Sequence, residues 1–342
     1  MSEHNRSNVA LNDTVDLLWS NALAKRTKTA YDTGYRHLLN FLVLNGYHLD
    51  VNSNPHVISE EMLIDFTAHC FKNLQLQYST IKLYLAGIRF KCLQENISSP
   101  FLQSDLHMQR LPLILNSVKR LQKPVTRSRL PLTYDIVRKL CLKLRSGVFS
   151  YFIDRMLQCA CIIAFYGFLR CGEFTVYNEN FFDPDSNLCI ADVSFTQDYA
   201  ILHLKQSKTD PFRKGVDIQL HKLSYEFCPY KILKEYLILR KRTGFSKNSD
   251  PLFINELNKP LDRPYFIKKL KFLLTLCGYD PDVYSGHSFS DRCCTSAGKS
   301  KIEDHLIKTL GRWNSDSYCR YIRTCKSSIK QAQLSMSNKK DS

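Results

Sequence analysis

The chain has 342 residues, with 48 lysines and arginines against 32 aspartates and glutamates, for a formal net charge of +16. Its hydrophobic share of 44% can fill ordinary globular cores, which excludes a disordered or fibrous protein. The longest apolar run, Met156–Leu169, is shorter than the roughly 20 residues that span a bilayer, and residues 1–12 lack the apolar core of a secretory signal. The length predicts two domains, and the charge predicts a polyanionic partner, either nucleic acid or an anionic membrane.

The 13 cysteines are scattered along the chain and form no CxxC pair. Cys159 and Cys161, and likewise Cys293 and Cys294, have the wrong spacing for a zinc ribbon or finger. In an intracellular protein such thiols stay reduced, so we expect buried core cysteines rather than metal ligands. The sequence predicts no metal site and no cofactor.

The N-terminal part of the sequence has the periodicity of helices. Residues 1–12 are polar and predict a flexible tail. Apolar side chains at helical spacing then predict a short helix through Val15–Leu23 and a second one through Tyr31–Leu42, which Gly46 ends.

Two further helices are indicated by capping residues. Ser59 followed by Glu60 and Glu61 is typical of an N-cap with acids in the first turn. Ser79 likewise precedes apolar residues at helical spacing, which predict a fourth helix, so we expect it to be the N-cap of that helix. Together these elements predict a small helical domain over residues 13–118.

A basic segment without acidic residues follows and predicts an extended linker over residues 119–131. It is either a solvated run of charge or a strap that lies along a phosphate backbone, and the strap is favoured because we expect a basic domain on each side. Its cations are Lys119, Arg120, Lys123, Arg127 and Arg129.

The second domain, residues 132–325, begins with a cap at Thr133 and contains a strongly apolar central helix, Phe152–Phe168. The periodicity then changes to short runs typical of a small antiparallel sheet, at Cys189–Phe195, Ala200–Leu204 and Val216–Leu220. Helical spacing returns over Tyr230–Leu239, Tyr265–Leu276 and His305–Leu310. Residues 326–342 form a basic C-terminal tail.

Four separated segments carry side chains suited to phosphate chemistry. They are Gly167-Phe-Leu-Arg170-Cys-Gly-Glu173, Ser207-Lys208-Thr, Ser285-Gly-His287-Ser-Phe289, and Leu310-Gly-Arg-Trp313 through Tyr318-Cys-Arg-Tyr321-Ile-Arg323. Each segment alone is a weak signal, but their order and spacing resemble the active-site boxes of tyrosine recombinases. The stretches 78–89 and 304–313 make the sequence most similar to recombinases of DIRS-type retrotransposons.

The resemblance implies a mainly α fold with a small antiparallel β-sheet, in which a helical core-binding domain and a mixed α+β catalytic domain clamp duplex DNA. It also implies a nuclear protein that assembles as a homo-tetramer on paired DNA sites. The expected DNA contacts, in addition to the basic linker, are Arg26, Lys28, Lys82 and Arg89.

The family joins DNA through a covalent 3′-phosphotyrosyl intermediate, which preserves the energy of the broken bond. Two tyrosines compete for the role of nucleophile. Tyr321 is favoured because Arg320-Tyr321-Ile-Arg323 matches the family's context, whereas Tyr318 lies one helical turn earlier and is expected to pack.

The resemblance assigns the remaining roles to cations and donors around the scissile phosphate, whose pentavalent transition state carries extra negative charge. Arg170, His287 and Trp313 would bind its oxygens, Lys208 would protonate the 5′-oxygen leaving group, and Glu173 would orient the first box. Taken singly, each side chain also fits a structural role as a core aromatic, a cap or a solvated turn residue.

The third box departs from the family pattern. Ser290 stands where the family has a second catalytic arginine, and Arg292 lies about 200° further round a helix, so it points elsewhere. With suitable synonymous codons, one inserted base and one nearby deletion convert Arg-Ile-Gly-Ala-Ala into Ser-Asp-Arg-Cys-Cys. This relation suggests a decaying element copy or an error in the reading of the gene.

Two functions therefore follow from the sequence. The first is a retroelement-encoded recombinase, impaired by Ser290, and the second is a DNA-binding protein with the recombinase fold and no useful catalysis. A membrane-surface role is disfavoured because no basic amphipathic helix with a bulky apolar face stands out.

Overall fold

The computed structural model describes residues 3–47, 55, 57–101, 108–122, 130–206, 214–244, 246–286, 288–289 and 309–312. The chain forms two compact units, residues 1–126 and 127–342. The division between them falls inside the basic segment of the sequence. None of the described helices is long and apolar enough to cross a membrane.

The first unit is helical in its described part. Its helices are α1 (Glu3–Asn21), α2 (Lys25–Leu44), α3 (Glu60–Lys72), α4 (Tyr78–Gln94) and α5 (Arg110–Leu121). The expected flexible tail over residues 1–12 is wrong from Glu3 onward, because α1 begins there. No glycine or proline lies between Glu3 and Asn21, so nothing in the local sequence stops the helix from extending.

The two caps predicted for the first unit have different outcomes. The cap at Ser59 is confirmed, because its hydroxyl accepts a hydrogen bond from the Met62 N–H at 3.2 Å. The cap at Ser79 is wrong, since α4 already begins at Tyr78. The side chain of Gln122 takes over this role: its Oε1 accepts from the Tyr78 N–H at 2.7 Å and its Nε2 donates to the Leu76 carbonyl at 2.7 Å.

Helix α5 was not predicted as a separate element. The N–H groups of Arg110 and Leu111 at its start both donate to Glu60 Oε1, each at 2.9 Å. The helix continues through Lys119 and Arg120, so the first part of the predicted extended linker is helical. These two cations occupy the last turn, where they complement the helix dipole.

Helices α2 and α4 cross at two glycines. A Cβ added to Gly34 would lie 2.6 Å from the Tyr84 Cα, and one added to Gly87 would lie 2.7 Å from the Tyr31 Cα. Because no side chain fits at either place, the backbones of the two helices approach each other directly. The core of the unit forms around this crossing from Leu38, Leu42, Leu63, Phe66, Ile81 and Ile88, among others.

The described helices of the second unit are α6 (Tyr134–Arg145), α7 (Tyr151–Tyr166), the four-residue α8 (Cys171–Phe174), α9 (Pro229–Lys241) and α10 (Arg263–Leu276). Its strands are β1 (Val193–Phe195), β2 (Tyr199–Leu204) and β3 (Val216–His221). Helix α7 is buried almost all round and packs against α6 and α9, as its apolar sequence predicts. It is the centre of this unit's core.

The sheet is antiparallel in the order β1-β2-β3, which confirms the predicted fold class of a mainly helical protein with a small antiparallel sheet. Leu202 on the central strand pairs with Val193 and Ile218. Strand β1 is shorter than predicted because Ile190–Asp192 form a 3-10 turn, and the Asp192 carboxylate accepts the Cys189 N–H at 2.7 Å. Strands β2 and β3 lead into and out of the segment that carries Lys208.

Candidate active site

The first box is a tight turn between α7 and α8. A Cβ on Gly167 would lie 2.8 Å from the Ile163 carbonyl oxygen, so only glycine fits there. Phe168 follows with a left-handed φ of +51°, and the buried Leu169 donates its N–H to the Ala164 carbonyl at 2.9 Å. This turn places Arg170 directly before α8, at its N-cap position.

The structure brings Arg170 and Glu173 together. One carboxylate oxygen of Glu173 accepts the backbone N–H of Arg170 at 2.9 Å, and the other accepts from its Nη1 at 3.0 Å. The Glu173 side chain is 5% exposed and that of Arg170 is 19% exposed. The carboxylate therefore fixes both the backbone and the guanidinium of Arg170, while part of the arginine stays accessible to a ligand.

Arg312 also belongs to this cluster, although the sequence reasoning gave it no role. It reaches the first box from the fourth, where its Nη2 lies 2.7 Å from Glu173 Oε2 and its Nη1 donates to the Gly167 carbonyl at 3.0 Å. The Arg312 side chain is 11% exposed. Burial lowers its pKa from the ordinary value, nearby Arg170 lowers it further, and Glu173 raises it. The Gly-Arg-Trp triplet was the available signal in the sequence, and the resemblance assigned a role in it to Trp313 alone.

The third box packs against the first. A Cβ on Gly286 would lie 2.9 Å from the Cys171 Cβ, so this glycine allows the chain to pass directly beside the residue that follows Arg170. The buried Phe289 ring lies 6.5 Å from the Phe174 ring, in an edge-to-face arrangement. The residues on both sides of His287 are thus held close to α8.

The second box begins at an anchored strand end. Lys205, just after β2, forms an ion pair with buried Asp192 at 2.7 Å and donates to the Pro184 carbonyl at 2.7 Å. Gln206 Nε2 donates to the Ser186 carbonyl at 3.1 Å. A cavity of about 30 Å³ is lined by Lys205, Gln206 and Glu173, so the base of the hairpin lies beside the first box.

Several predicted residues lie outside the described part of the chain. These are Lys208, His287, Ser290, Trp313, Tyr318 and Tyr321 of the boxes, and Lys123, Arg127 and Arg129 of the linker. The described part of the candidate site is therefore the cluster of Arg170, Glu173 and Arg312, with the third box and the base of the hairpin packed around it.

The expected DNA contacts of the first unit are accessible. Lys28 is partly exposed, and Arg26, Lys82, Arg89, Lys119 and Arg120 are exposed. The ammonium groups of Lys82 and Lys119 lie 5.9 and 5.8 Å from the centre of the Tyr78 ring, so α4 and α5 present adjacent cations. Arg89 lies two helical turns beyond Lys82 on the same side of α4.

The sequence matches no protein family and no curated protein. Solved structures do resemble the chain. The XerH site-specific recombinase bound to its palindromic difH substrate has 17% identity and a TM-score of 0.59, over 92% of this chain and 80% of that one. A lambda integrase tetramer bound to a Holliday junction has 15% identity and a TM-score of 0.55, over 92% and 78% of the chains.

The Tn1549 transposon integrase in complex with circular intermediate DNA has 13% identity and a TM-score of 0.53, over 86% of this chain and 97% of that one. Identities this low establish architecture alone. The architecture nevertheless spans both units, because each similarity extends over more than four fifths of the chain. The chain therefore has the fold of the tyrosine recombinases.

Proposed function

We propose that this protein is a site-specific DNA recombinase that breaks and rejoins duplex DNA through a 3′-phosphotyrosyl intermediate. The observation that carries the proposal is the Arg170–Glu173 pair. It holds a partly exposed guanidinium on a rigid turn, within a fold shared with recombinases bound to DNA. A guanidinium positioned in this way is suited to bind two oxygens of a phosphodiester.

In the proposed reaction the Tyr321 hydroxyl oxygen attacks the scissile phosphorus and gives up its proton to solvent, and the bond from phosphorus to the 5′-oxygen breaks. Lys208 donates a proton to that departing oxygen. Arg170, His287 and Trp313 stabilise the charge that develops on the nonbridging oxygens. The reverse reaction, with a 5′-hydroxyl from another strand as the nucleophile, joins the DNA and frees the tyrosine.

The distribution of charge supports duplex DNA as the partner. Residues 127–342 contain 35 lysines and arginines against 22 aspartates and glutamates, whereas residues 1–126 contain 13 against 10. The first unit is therefore only weakly basic, and the second supplies most of the attraction to a polyanion. The adjacent cations Lys82 and Lys119 give the first unit a local site for the DNA backbone.

Assembly and origin are parts of the same proposal. A homo-tetramer on paired DNA sites is supported by the likeness to the lambda integrase tetramer. A nuclear location is proposed with it, because duplex DNA is the proposed substrate. The motifs at residues 78–89 and 304–313 favour an origin in a DIRS-like retroelement.

A second candidate function is favoured by Ser290. Without the second catalytic arginine, the protein would bind DNA through the same fold and cleave it too slowly to matter. This function shares the fold, the basic surface and the partner with the first one, so only a measurement of covalent chemistry separates them.

That measurement uses a nicked suicide duplex made from the DNA that flanks the gene. We expect wild type and Tyr318→Phe to form a covalent adduct that survives denaturation, and Tyr321→Phe to bind the duplex without forming one. An adduct that persists in Tyr321→Phe contradicts the assignment of the nucleophile. Binding without an adduct in any variant supports the second function.

A further inference from the structure

Arg170, Glu173 and Arg312 form a cluster with two positive charges and one negative charge. Each carboxylate oxygen of Glu173 contacts a different guanidinium, at 3.0 Å from Arg170 Nη1 and at 2.7 Å from Arg312 Nη2. The cluster therefore carries a net charge of +1. A pair of Arg170 and Glu173 alone would be neutral and would put a carboxylate near an incoming phosphate.

The two arginines are not equivalent. The Arg312 side chain is the more buried, and it also donates to the carbonyls of Gly167 and Phe168, at 3.0 and 3.3 Å. These carbonyls belong to the turn that precedes Arg170. Arg170, by contrast, is the more exposed of the two, and among the described contacts its guanidinium hydrogen-bonds only Glu173.

Two residues of this arrangement have backbone conformations that are locally unfavourable. Phe168 and Arg312 both have left-handed φ values, +51° and +57°, which residues with a Cβ adopt only at a cost in free energy. The hydrogen bonds of the Arg312 guanidinium join these two strained positions. Loss of the Arg312 side chain would remove the hydrogen bonds that the fourth box makes to the turn at Gly167 and Phe168.

We propose that Arg312 is the positioning residue for Arg170: it neutralises Glu173 and fixes the Gly167–Phe168 turn, so that the charge of Arg170 remains available to an oxyanion of the DNA backbone. The inference rests on the proposed function, because it assigns phosphate as the ligand of Arg170. In this view Glu173 orients Arg170, and Arg312 prevents the Glu173 carboxylate from cancelling the charge of Arg170.

The test measures inorganic phosphate binding to the full chain, from the rise in the thermal unfolding midpoint at constant ionic strength. The site-specific part of this rise is the difference between its value in wild type and its value in Arg170→Gln. We expect Arg312→Met to weaken this part about tenfold or more, because an unbalanced carboxylate then lies near the anion. Arg312→Lys keeps the charge but has a single nitrogen where the guanidinium uses two for these contacts, so its affinity should be intermediate.

The double variant Arg312→Met with Glu173→Gln separates charge balance from simple packing. Glutamine keeps an acceptor for the Arg170 N–H but has no negative charge, so we expect the double variant to recover most of the lost phosphate affinity. If Arg312 only packs, the double variant will bind as weakly as Arg312→Met. That result, or wild-type affinity in Arg312→Met, overturns the inference.

Arg240→Met is the matched control. Arg240 is another buried arginine of the same unit, and it bonds the Pro251 carbonyl at 3.0 Å and Thr243 at 2.9 Å. Its loss should lower the unfolding midpoint and leave the site-specific phosphate binding unchanged. An equal loss of phosphate binding in Arg240→Met would make the Arg312 effect a general one and overturn the inference.

If Arg312→Met does not fold, the single variant Glu173→Gln tests the effect of charge on phosphate binding. It raises the net charge of the cluster, so we expect several-fold tighter phosphate binding, and weaker binding would contradict the charge argument. If wild type shows no Arg170-dependent phosphate binding, the proposed function and this inference both fail. If that binding is present but does not change when Arg312 or Glu173 is substituted, only the inference fails.

Discussion

At the scale of single residues, we expect position 290 to determine the rate of the proposed chemistry. Losing one preorganised donor to a transition-state oxyanion typically costs about 10²–10³ in rate. We therefore expect Ser290→Arg to speed adduct formation, but only in part, because Asp291 still places a negative charge nearby. Restoring residues 290–294 to Arg-Ile-Gly-Ala-Ala should give a larger gain.

The adduct is measured as the covalent fraction against time on the nicked suicide duplex. Tyr321→Phe in the restored background is the control and should give no adduct. An unmodified chain that reacts as fast as the restored one would show that another group supplies the missing charge.

The buried thiols give a second prediction for single residues. Within the described part of the chain, eight of nine cysteines are buried, as expected for reduced core thiols. Burial raises the pKa of Cys161 from the ordinary 9.0 to about 12. Its protonated form therefore stabilises the native state fully below pH 9, and this contribution is lost as the pH rises towards 12.

We expect the free energy of unfolding to fall between pH 9 and pH 11 by up to about 1.4 kcal/mol per pH unit for this thiol. Denaturant titrations at both pH values measure it. Cys161→Ala should lose less stability over that interval than wild type. Cys277→Ala removes a partly exposed thiol whose pKa burial also raises, but by less, so it should differ from wild type less than Cys161→Ala does. Equal losses in wild type and Cys161→Ala would contradict the assignment.

At the scale of elements, the glycine crossing of α2 and α4 fixes the first unit. Gly87→Ala would put a methyl group 2.7 Å from the Tyr31 Cα, where only backbone movement can relieve the clash. We expect a loss of about 1–3 kcal/mol in the free energy of unfolding of this unit, as for overpacked cores. Urea titration measures the change.

Gly172→Ala is the control for this substitution, because a Cβ there meets nothing within 4 Å. It should be neutral or stabilising by up to about 1 kcal/mol, since alanine restricts the unfolded chain more than glycine does. Equal destabilisation by both alanines would mean that the clash at the crossing is not the cause.

The same scale shows what could be predicted from the sequence. The Ser59 cap and the apolar helix α7 depend on neighbours a few residues away, and both were predicted. Helix α5 and the start of α4 depend on Glu60 and Gln122, which lie about 50 and 44 residues away from the N–H groups they bind. Local patterns carry no information about such partners.

The candidate site likewise has one part that the sequence predicts and one part that it does not. Arg170 and Glu173 are three positions apart, so a motif predicts their pairing. Arg312 lies 139 positions from Glu173, and only the folded chain shows that it completes the cluster.

At the scale of the whole molecule, the charge distribution predicts salt-sensitive binding of duplex DNA. A protein with about six to ten phosphate contacts loses about 10³–10⁵ in affinity between 50 and 200 mM salt. Lys82→Ala and Lys119→Ala should each reduce the slope of log affinity against log salt by about 1, whereas Lys271→Ala, which removes a partner of Asp282 in the second unit, should change it little. Anisotropy titrations measure the slope, and an affinity indifferent to salt would contradict the clamp.

The hydrogen bonds of Gln122 determine where the chain can be divided. A fragment that stops at residue 118, the boundary expected from the sequence, lacks the Gln122 side-chain amide that caps the first turn of α4 and the Gln122 backbone N–H that closes the last turn of α5. A fragment that ends at residue 126 keeps both. The two fragments differ by eight residues, and the first four of these, 119–122, complete both helix ends. Genetic truncations, split proteins and fusions of this unit should therefore all be joined beyond Gln122.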